Sequence, residues 1–358
     1  MNKEDRERQI AGYLLQDPAS LRTEFVRYME ELKTNPGARW FGPFDDFTGP
    51  IRKSELIMIV ARPSEGKTVL TLAQARAMSR AIQAGLVPDS EHKVVVYASV
   101  EMITEDVETI INADDNWNAT QLIRGEAPTD VIQHRAIKRP QLPLWMIGRS
   151  RRFFGQKQPD LNAENILASL KIMQKDYGKI PHVLFVDYLQ YLPSIEKGYS
   201  GSRTEVTESV VREMKELSMI AGIPVILTAQ ARRETEDSKD KLPGLRSIQH
   251  TSFAEQTADR VYSIHRPIRA RKDEDEQFFY LNGESYNLDM NLMLVRHLKG
   301  RLEQAGSTYA IHLNPTTLEC KKATTIDMNG PEAYHQQSPN GLPVTQDALF
   351  GNLPPIEL

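Results

Sequence analysis

Apolar residues recur along the chain in two alternating patterns, short continuous runs and longer stretches with helical spacing. The runs are the length of buried strands and lie at 54–61, 93–102, 182–192, 224–230, 260–265 and 291–298. Stretches with helical periodicity lie between several of them, at 68–85, 162–178 and 205–222. Strands that alternate with helices favour a mostly parallel sheet covered by helices. The predicted fold class is therefore α/β.

The two ends of the chain differ from this pattern. Residues 20–34 place Leu21, Phe25, Tyr28, Met29 and Leu32 at helical spacing before the breaker Asn-Pro-Gly, which predicts one amphipathic helix. Its apolar face fits a core-packing helix and a linker helix on a neighbouring subunit equally well. The segment from 324 onward is rich in Pro, Asn and Gln, which predicts a flexible tail. The predicted division is a helical linker segment 1–34, one α/β domain 35–323 and a tail 324–358.

Composition narrows the class of protein. With 358 residues, 40% hydrophobic and 26% charged, the chain is typical of globular proteins. The single Cys320 excludes an internal disulfide and a cysteine-zinc cluster, which favours a reducing cytoplasm. Neither a secretion signal nor an apolar run of about 18 residues is present, so we expect no membrane span. The net charge of −4 leaves nucleic-acid binding open, because cations can be concentrated on a few loops.

The stretch ARPSEGKT, residues 61–68, nearly fits the phosphate-binding pattern G-x-x-x-x-G-K-[ST]. It lies between a predicted strand and a predicted helix, where backbone N–H groups and a helix N-terminus form an anion site. Ala61 replaces the first glycine, which is tolerable if its φ is negative. Lys67 would contact the β- and γ-phosphates, and Thr68 would ligate Mg²⁺. The predicted nucleotide-binding residues are Ala61, Arg62, Pro63, Ser64, Glu65, Gly66, Lys67 and Thr68.

Three further polar residues follow apolar strands. Asp187 fits an acid that holds Mg²⁺ beside a phosphate, Glu101 fits a base that activates water, and Gln230 fits a sensor of the γ-phosphate. Each also has an ordinary interpretation, as a turn residue, a solvated carboxylate or a satisfied polar strand end. Together with the phosphate loop they indicate ligand binding at the carboxyl edge of an open sheet.

These motifs, with AEQTADRVYSIHR near residue 260, follow an order that resembles the C-terminal ATPase domain of DnaB-type replicative hexameric helicases. The resemblance covers roughly residues 20–315 and implies a RecA-like P-loop NTPase fold. The family characteristically opens its phosphate loop with Ala-Arg-Pro-Ser, so Ala61 fits it. ATP and Mg²⁺ are the implied cofactors, Glu101 the catalytic base and Asp187 the second Mg²⁺-side acid. Gln230 would couple nucleotide state to DNA contact.

The segment KGRLEQAG, residues 299–306, resembles the family's K-x-R element, with Gly306 where a glycine is expected. The resemblance implies that Lys299 and Arg301 reach into the neighbouring subunit's site in a hexameric ring, where a cation stabilises the transferred phosphoryl group. Leu-Glu follows Arg301 in place of the more usual Asn-Gly, which puts the loop geometry in question. Two solvated surface cations are the alternative.

Two loops are candidates for contact with single-stranded DNA, because in RecA-like rings such loops line the central channel. One follows the Asp187 strand and the other follows Gln230; both also carry acidic residues, so solvated mobile loops are the alternative. The candidate DNA-binding residues are Lys197, Arg203, Arg232, Arg233, Lys239, Lys241 and Arg246. The basic stretch GRSRRFFGQK, residues 148–157, is either a further contact or a surface insertion.

The chain departs from full-length bacterial members, which carry a helical N-terminal domain that binds primase. Only about 20 residues precede the predicted linker helix, so we expect a compact phage- or plasmid-type form in a bacterial cytoplasm. Primase recruitment through that domain is therefore in doubt, and a helicase loader is a further expected partner. In the tail, Gln346, Leu349 and Phe350 resemble the Q-x-x-L-F peptide that docks on the sliding clamp. A terminus without a partner is the alternative.

The function that these expectations favour is an ATP-driven, ring-forming helicase that translocates on single-stranded DNA. Two alternatives stay open at this point. One is a RecA-like ATPase that acts as a recombination mediator or nucleotide switch without unwinding. The other is a replication-interaction protein that hydrolyses nothing, against which the joint presence of Lys67, Glu101, Asp187 and Arg301 argues.

Overall fold

The computed structural model divides the chain into two compact units, Met1–Gly37 and Ala38–Leu358. The residues that it describes are 3–35, 37–40, 42–44, 48–196, 198, 200–231, 253–271, 276–301 and 304–326. In the first unit lie two helices, α1 (Lys3–Leu14) and α2 (Pro18–Thr34). Asp17 caps α2 by accepting hydrogen bonds from the backbone N–H groups of Ala19 and Ser20. The predicted amphipathic helix is therefore present, with an additional helix before it.

A twisted sheet of nine strands forms the centre of the second unit within the described residues. The strands are β1 (Leu56–Ala61), β2 (Lys93–Ser99), β3 (Leu144–Gly148), β4 (Ile180–Asp187), β5 (Val225–Gln230), β6 (Arg260–His265), β9 (Leu292–Gly300), β10 (Thr308–Leu313) and β11 (Cys320–Lys322). Their order is β11-β10-β9-β6-β1-β5-β4-β2-β3, parallel from β6 to β3 and antiparallel from β6 to β11. The prediction of a mostly parallel α/β sheet is confirmed.

Helices cover both faces of this sheet. The helices of this unit, within the described residues, are α3 (Lys67–Gln83), α4 (Thr104–Ile111), α5 (Ala119–Ile123), α6 (Thr129–Lys138), α7 (Ala163–Tyr177), α8 (Arg203–Ala221) and α9 (Phe253–Thr257). The sequence of β1 is continuously apolar because both faces of the strand are buried. Ile57 and Ile59 pack into the core on the α3 side, and Met58 and Val60 pack into the core on the α7 and α8 side.

Within the described residues, a second, antiparallel sheet of three strands lies beside β9 and β10. Its strands are β7 (Phe278–Leu281), β8 (Glu284–Asn287) and β12 (Thr325–Ile326), in the order β12-β8-β7. The hydrophobic pattern did not predict this sheet, nor the edge strand β3. No helix within the described ranges is long and apolar enough to span a membrane.

Candidate nucleotide site

The loop between β1 and α3 has the backbone of a phosphate cradle. Ala61 is the last residue of β1 and has strand conformation, so the replacement of glycine there meets no steric objection. Gly66, with φ +96°, precedes the first residue of α3, Lys67. A Cβ at Gly66 would lie 3.0 Å from Nε of Arg266, so a side chain would both strain the backbone and crowd this cation. The N–H groups at the start of α3 can therefore face an anion.

Asp187 is the centre of the polar network at the carboxyl edge of the sheet. Its buried carboxylate accepts hydrogen bonds from the hydroxyls of Thr68 at 2.6 Å, Tyr97 at 3.0 Å and Thr228 at 2.6 Å. Burial, and then the negative charge of Asp187, raises the pKa of Tyr97 well above its ordinary value, so the phenol stays a donor. The predicted metal residues Thr68 and Asp187 are thus in direct contact.

Lys67 lies beside the same carboxylate, at the first turn of α3. Its ammonium donates to the carbonyls of Ala61 at 3.5 Å and Arg62 at 3.4 Å, and lies 5.8 Å from the ring centre of Tyr188. Burial lowers the pKa of Lys67, and the nearby carboxylates, first that of Asp187, oppose the shift. A lysine held this way, by long hydrogen bonds in a partly desolvated place, gains a stronger partner when phosphate arrives.

Glu101 lies two residues after the end of β2, next to β4. The N–H of Val100 donates to the carbonyl of Asp187 at 2.8 Å, which joins the two strand ends. Although the residue as a whole is exposed, desolvation of its carboxyl, reinforced by the charge of Asp187, raises the pKa of Glu101. Lys67 opposes that shift. A carboxylate with a raised pKa close to a phosphate site is suited to accept a proton from water.

Gln230 ends β5 and pairs in register with Ala61 of the phosphate loop. Its backbone is held by Gln190, whose amide accepts from the Gln230 N–H at 3.1 Å and donates to the Gln230 carbonyl at 3.3 Å. The Gln190 bridge, which joins the segment after β4 to the end of β5, was not identified from the sequence. It fixes the spacing of the two strand ends from which the candidate DNA loops begin.

Three residues on the other flank of the phosphate loop form a network that sequence reasoning also missed. The buried carboxylate of Glu65 contacts Nδ1 of His265 at 3.1 Å and accepts from the backbone N–H of Arg266 at 2.5 Å. The guanidinium of Arg266 donates to the carbonyls of Glu65 and Met290. This network ties the end of β6 to the phosphate loop. An acid inside the loop and a His-Arg pair ending a strand were the signals that could have identified it.

Lys299 and Arg301 lie at the opposite edge of the sheet from the phosphate loop of their own chain. Strand β9 runs antiparallel to β6, so its end pairs with the start of β6. Arg301 forms an ion pair with the buried Asp259 at 3.1 Å and is 53% exposed. The ammonium of Lys299 donates to the carbonyls of Gln256 at 3.1 Å and Ala258 at 2.7 Å. The structure therefore brings Lys67, Thr68, Glu101, Asp187 and Gln230 to one edge and leaves the two cations at the other.

Of the candidate DNA-binding residues, Arg203 is described. It is exposed at the first position of α8, behind a capping box formed by Ser202 and Glu205. The remaining candidates lie outside the described residues, as do those of the clamp motif: Lys197, Arg232, Arg233, Lys239, Lys241, Arg246, Gln346, Leu349 and Phe350.

The donor set fits Mg²⁺ shared with a nucleotide. Within the described ranges, no group of three or more His, Cys, Asp or Glu side chains could hold a metal ion. Mg²⁺ takes one or two protein oxygens together with phosphate oxygens and water, which is what Thr68 and Asp187 offer. A cleft of about 1590 Å³ also lies between β7–β8 and β9–β10, but it contains none of the predicted site residues. The chemistry of the strand ends, rather than cavity size, is therefore the basis for the candidate site.

Comparison with known proteins gives consistent matches. The DnaB-like helicase C-terminal domain family matches residues 39–314. The replicative DNA helicase DnaB of Mycoplasma pneumoniae is 25% identical over 277 residues, which cover 76% of this chain and 54% of that protein. A probable plasmid replicative DNA helicase of Chlamydia psittaci is 26% identical over 242 residues, 67% of this chain and 48% of that protein. This chain thus spans about half the length of these relatives.

Solved structures agree on the fold. A solved ATPase domain matches with a TM-score of 0.64 at 21% identity, covering 86% of this chain and 99% of that one. A DnaB-like replicative helicase, studied for its interactions with primase, matches with a TM-score of 0.62 at 20% identity, covering 86% of this chain and 67% of that one. Together with the family match over residues 39–314, these structures confirm the predicted RecA-like fold of a DnaB-type ATPase domain.

Proposed function

Because this chain belongs to the DnaB-like helicase C-terminal domain family, we propose that it is a ring-forming, ATP-driven motor that translocates on single-stranded DNA and unwinds duplex DNA. The observation that carries the proposal is the 2.6 Å contact between the Thr68 hydroxyl and the Asp187 carboxylate, beside Lys67. A glycine-lysine loop alone binds phosphate. Placed against a buried acid at the end of β4, two strands away from β1 in the sheet, it becomes a site for phosphoryl transfer.

In this proposal, the chain's own residues bind and orient the nucleotide. The N-terminus of α3 and Lys67 hold the phosphates, while Thr68 and Asp187 hold Mg²⁺. The metal supplies positive charge that neutralises the phosphate oxygens. Glu101 accepts the proton of the attacking water, since its raised pKa makes it a stronger base than an ordinary glutamate. Gln230, at the end of the strand beside the phosphate loop, registers the γ-phosphate.

Completion of the site requires a second subunit. Arg301, with Lys299, would enter the neighbouring site and stabilise the charge that develops on the transferred phosphoryl group. Their place at the far edge of their own sheet supports action in trans, since the end of β9 pairs with the start of β6. Helix α2 fits a linker on a neighbouring subunit, because Leu21, Phe25 and Met29 are exposed. By analogy with the family, the ring would be a hexamer.

Other partners follow from the same analogy. The loops after β4 and β5, which contain Arg203 and the other candidate DNA-binding residues, would contact the translocated strand. The tail motif with Leu349 and Phe350 would dock on a sliding clamp, and a loader or primase would engage the ring. A bacterial cytoplasm, with a phage or plasmid origin, is the setting we propose, in keeping with the plasmid helicase among the relatives.

A subunit-mixing experiment tests the shared site. Lys67→Ala and Arg301→Ala should each abolish ATP hydrolysis when assayed alone. Mixed rings contain junctions where an intact Lys67 from one variant meets an intact Arg301 from the other, so mixing the two should restore part of the activity. No recovery in rings shown to be mixed by labelled subunits would contradict action in trans.

A second test separates the helicase from its alternatives. Single-stranded DNA should stimulate ATP hydrolysis, hydrolysis should rise more than linearly with protein concentration, and a forked duplex should be separated. Glu101→Gln should bind ATP yet hydrolyse it about 10²–10⁴-fold more slowly. Stimulation without strand separation would favour a nucleotide switch, and a wild-type protein that hydrolyses nothing would favour an interaction protein.

A further inference from the structure

The loop between β3 and α7 carries a concentration of positive charge that the nucleotide site does not use. Residues 149–157, RSRRFFGQK, contain four cations, two phenylalanines and no acidic residue, and are named the Arg-Phe loop below. The chain as a whole has a net charge of −4. Positive charge on this loop is therefore a local feature against an acidic background, the distribution expected of a localised anion-binding surface.

Hydrogen bonds from outside the loop fix its backbone. The carboxylate of Glu105, in the first turn of α4, accepts from the Ser150 hydroxyl at 2.5 Å and from the Arg151 N–H at 3.0 Å. Ser150 in turn caps a 3-10 turn, Arg151–Phe153, and the side chain of Gln158 accepts from the Ser150 N–H at 3.4 Å. A loop held in this way loses little conformational entropy when it binds a ligand.

The charged and aromatic side chains of the loop point to solvent. Phe153 is 41% exposed and Phe154 is 60% exposed, and the guanidinium of Arg152 lies 5.4 Å from the ring centre of Phe153. Among the residues that the structure describes, none of the four cations, Arg149, Arg151, Arg152 and Lys157, forms an ion pair. Sequence-tolerant binding of single strands has two components: cations neutralise phosphates, and aromatic rings stack on bases. The Arg-Phe loop exposes both kinds of side chain.

The position of the loop separates it from the candidate channel loops. Strand β3 is the sheet edge beyond β2, whereas the candidate channel loops follow β4 and β5. At its end, Gly148 leaves no room for a side chain, since a Cβ would lie 3.0 Å from the carbonyl of Ser99. The N–H of Thr104 then donates to the carbonyl of Arg149 at 2.9 Å. The Arg-Phe loop is thus hydrogen-bonded to the start of α4, just after the turn that carries Glu101. The strand that it follows, β3, lies two strands away from β4.

We propose that the Arg-Phe loop is a second contact for single-stranded DNA, in which its cations neutralise phosphates and Phe154 stacks on an unpaired base. The proposal rests on the proposed function in one respect, that single-stranded DNA is the ligand of this protein. Unpaired rather than duplex DNA is favoured because bases expose their faces to an aromatic ring only outside a base-paired stack.

Two pairs of matched variants test this inference by anisotropy of a labelled thymidine oligonucleotide, in the presence of a non-hydrolysable ATP analogue and over a salt series. Arg151→Gln with Arg152→Gln is compared with Lys171→Gln and Lys175→Gln, two exposed cations of α7. The loop variant should lower the slope of log affinity against log salt by about 1.4, two phosphates at roughly 0.7 each. The α7 variant should leave it unchanged.

The second pair tests stacking. Phe154→Ala should weaken binding roughly tenfold without changing the salt slope, whereas Ile172→Ala, on α7 and 49% exposed, should have no effect. Basal ATP hydrolysis without DNA should stay at the wild-type value in all four variants. Photo-crosslinking of the oligonucleotide to the wild-type protein should label a peptide that contains residues 149–157. This measurement does not depend on the folding of any variant.

Each contrary outcome has a distinct meaning. Loop variants that bind like their α7 controls, with no crosslink in the loop, would overturn this inference and leave the helicase proposal intact. Loss of affinity for a duplex but not for the single strand would overturn it in favour of a duplex-binding surface. A wild-type protein that neither binds single-stranded DNA nor is stimulated by it would overturn both proposals.

Discussion

Two buried aspartates at opposite edges of the central sheet have opposite surroundings. Asp187, at the carboxyl edge, accepts from three hydroxyls, and no ion pair to it is found in the described part of the chain. Asp259, at the amino edge, is paired with Lys215 at 2.7 Å and Arg301 at 3.1 Å and accepts from the Leu56 N–H at 2.8 Å. Both residues are nearly inaccessible to solvent.

The difference is the one expected between a carboxylate that we propose to bind a metal ion and one that stabilises the fold. Hydroxyl donors bond to the Asp187 carboxylate without adding a positive charge, so its negative charge is available to a metal ion and to Lys67. The cations around Asp259 neutralise it, and it fixes the start of β1 against α8. An unneutralised buried charge weakens a fold, so its presence at a strand end is a sign of function.

The largest effect is expected from Asp187→Asn, which removes the charge and retains the shape. The variant should hydrolyse ATP roughly 10²–10³-fold more slowly, because a metal ligand and a charge near the reacting phosphate are lost. Its free energy of unfolding should fall only slightly, since Asp187 forms no ion pair within the described residues and Lys67 keeps its carbonyl partners. Steady-state kinetics and chemical denaturation of the same preparation measure both. Lower stability with unchanged kcat would reverse the roles assigned to the two aspartates.

An intermediate effect is expected at the Glu65–His265 contact, on the other flank of the phosphate loop. Glu65→Ala leaves His265 and the Arg266 N–H without their partner. Because an unsatisfied buried polar group costs about 1–3 kcal/mol, this flank of the phosphate loop should be destabilised and KM for ATP should rise roughly tenfold. Glu65→Gln keeps one acceptor and one donor and should stay close to the wild type. Equal defects in both variants would show that the negative charge, rather than the hydrogen bonds, matters.

At the amino edge, Lys215→Met should lower the free energy of unfolding by about 1–3 kcal/mol and leave hydrolysis by assembled rings unchanged. The reason is that the side chain of Lys215, 21% exposed, supports Asp259 and the carbonyl of Ser54. Arg301→Ala provides the contrast: its side chain is 53% exposed, so the change in unfolding free energy should be below about 1 kcal/mol while hydrolysis is lost. A large stability loss in Arg301→Ala would mark it as structural.

The smallest effect concerns pH. Glu101 must be ionised to accept a proton, and desolvation and the charge of Asp187 raise its pKa. The rate of hydrolysis should therefore be maximal above that raised pKa and fall as the pH is lowered through it. The acid limb of the pH profile should lie above about 4.3, the pKa of an unperturbed glutamate. The pH profile of kcat measures this, and the residual activity of Glu101→Gln should lack the limb. A limb at the unperturbed value would exclude Glu101 as the base.

Much of the site was predictable because its residues mark the ends of strands. Lys67, Glu101, Asp187 and Gln230 each follow an apolar run, and parallel strands necessarily bring such ends to one edge. By contrast, Tyr97 and Thr228 lie inside apolar strands, where their hydroxyls reach Asp187. The partner of a polar atom inside a strand depends on which strands lie nearby in the sheet. The hydrophobic pattern does not predict strand order, so these contacts could not be predicted from it.

The sequence by itself determined the α/β class, the phosphate loop and the strand-end residues, because local periodicity and the chemistry of single side chains suffice for these. Only the tertiary structure decided which polar groups meet: Thr68 with Asp187 across 119 positions, Glu65 with His265 across 200, and the Arg-Phe loop with Glu105 across 45. Such contacts depend on strand order and register, which are fixed by packing of the whole core rather than by any local segment.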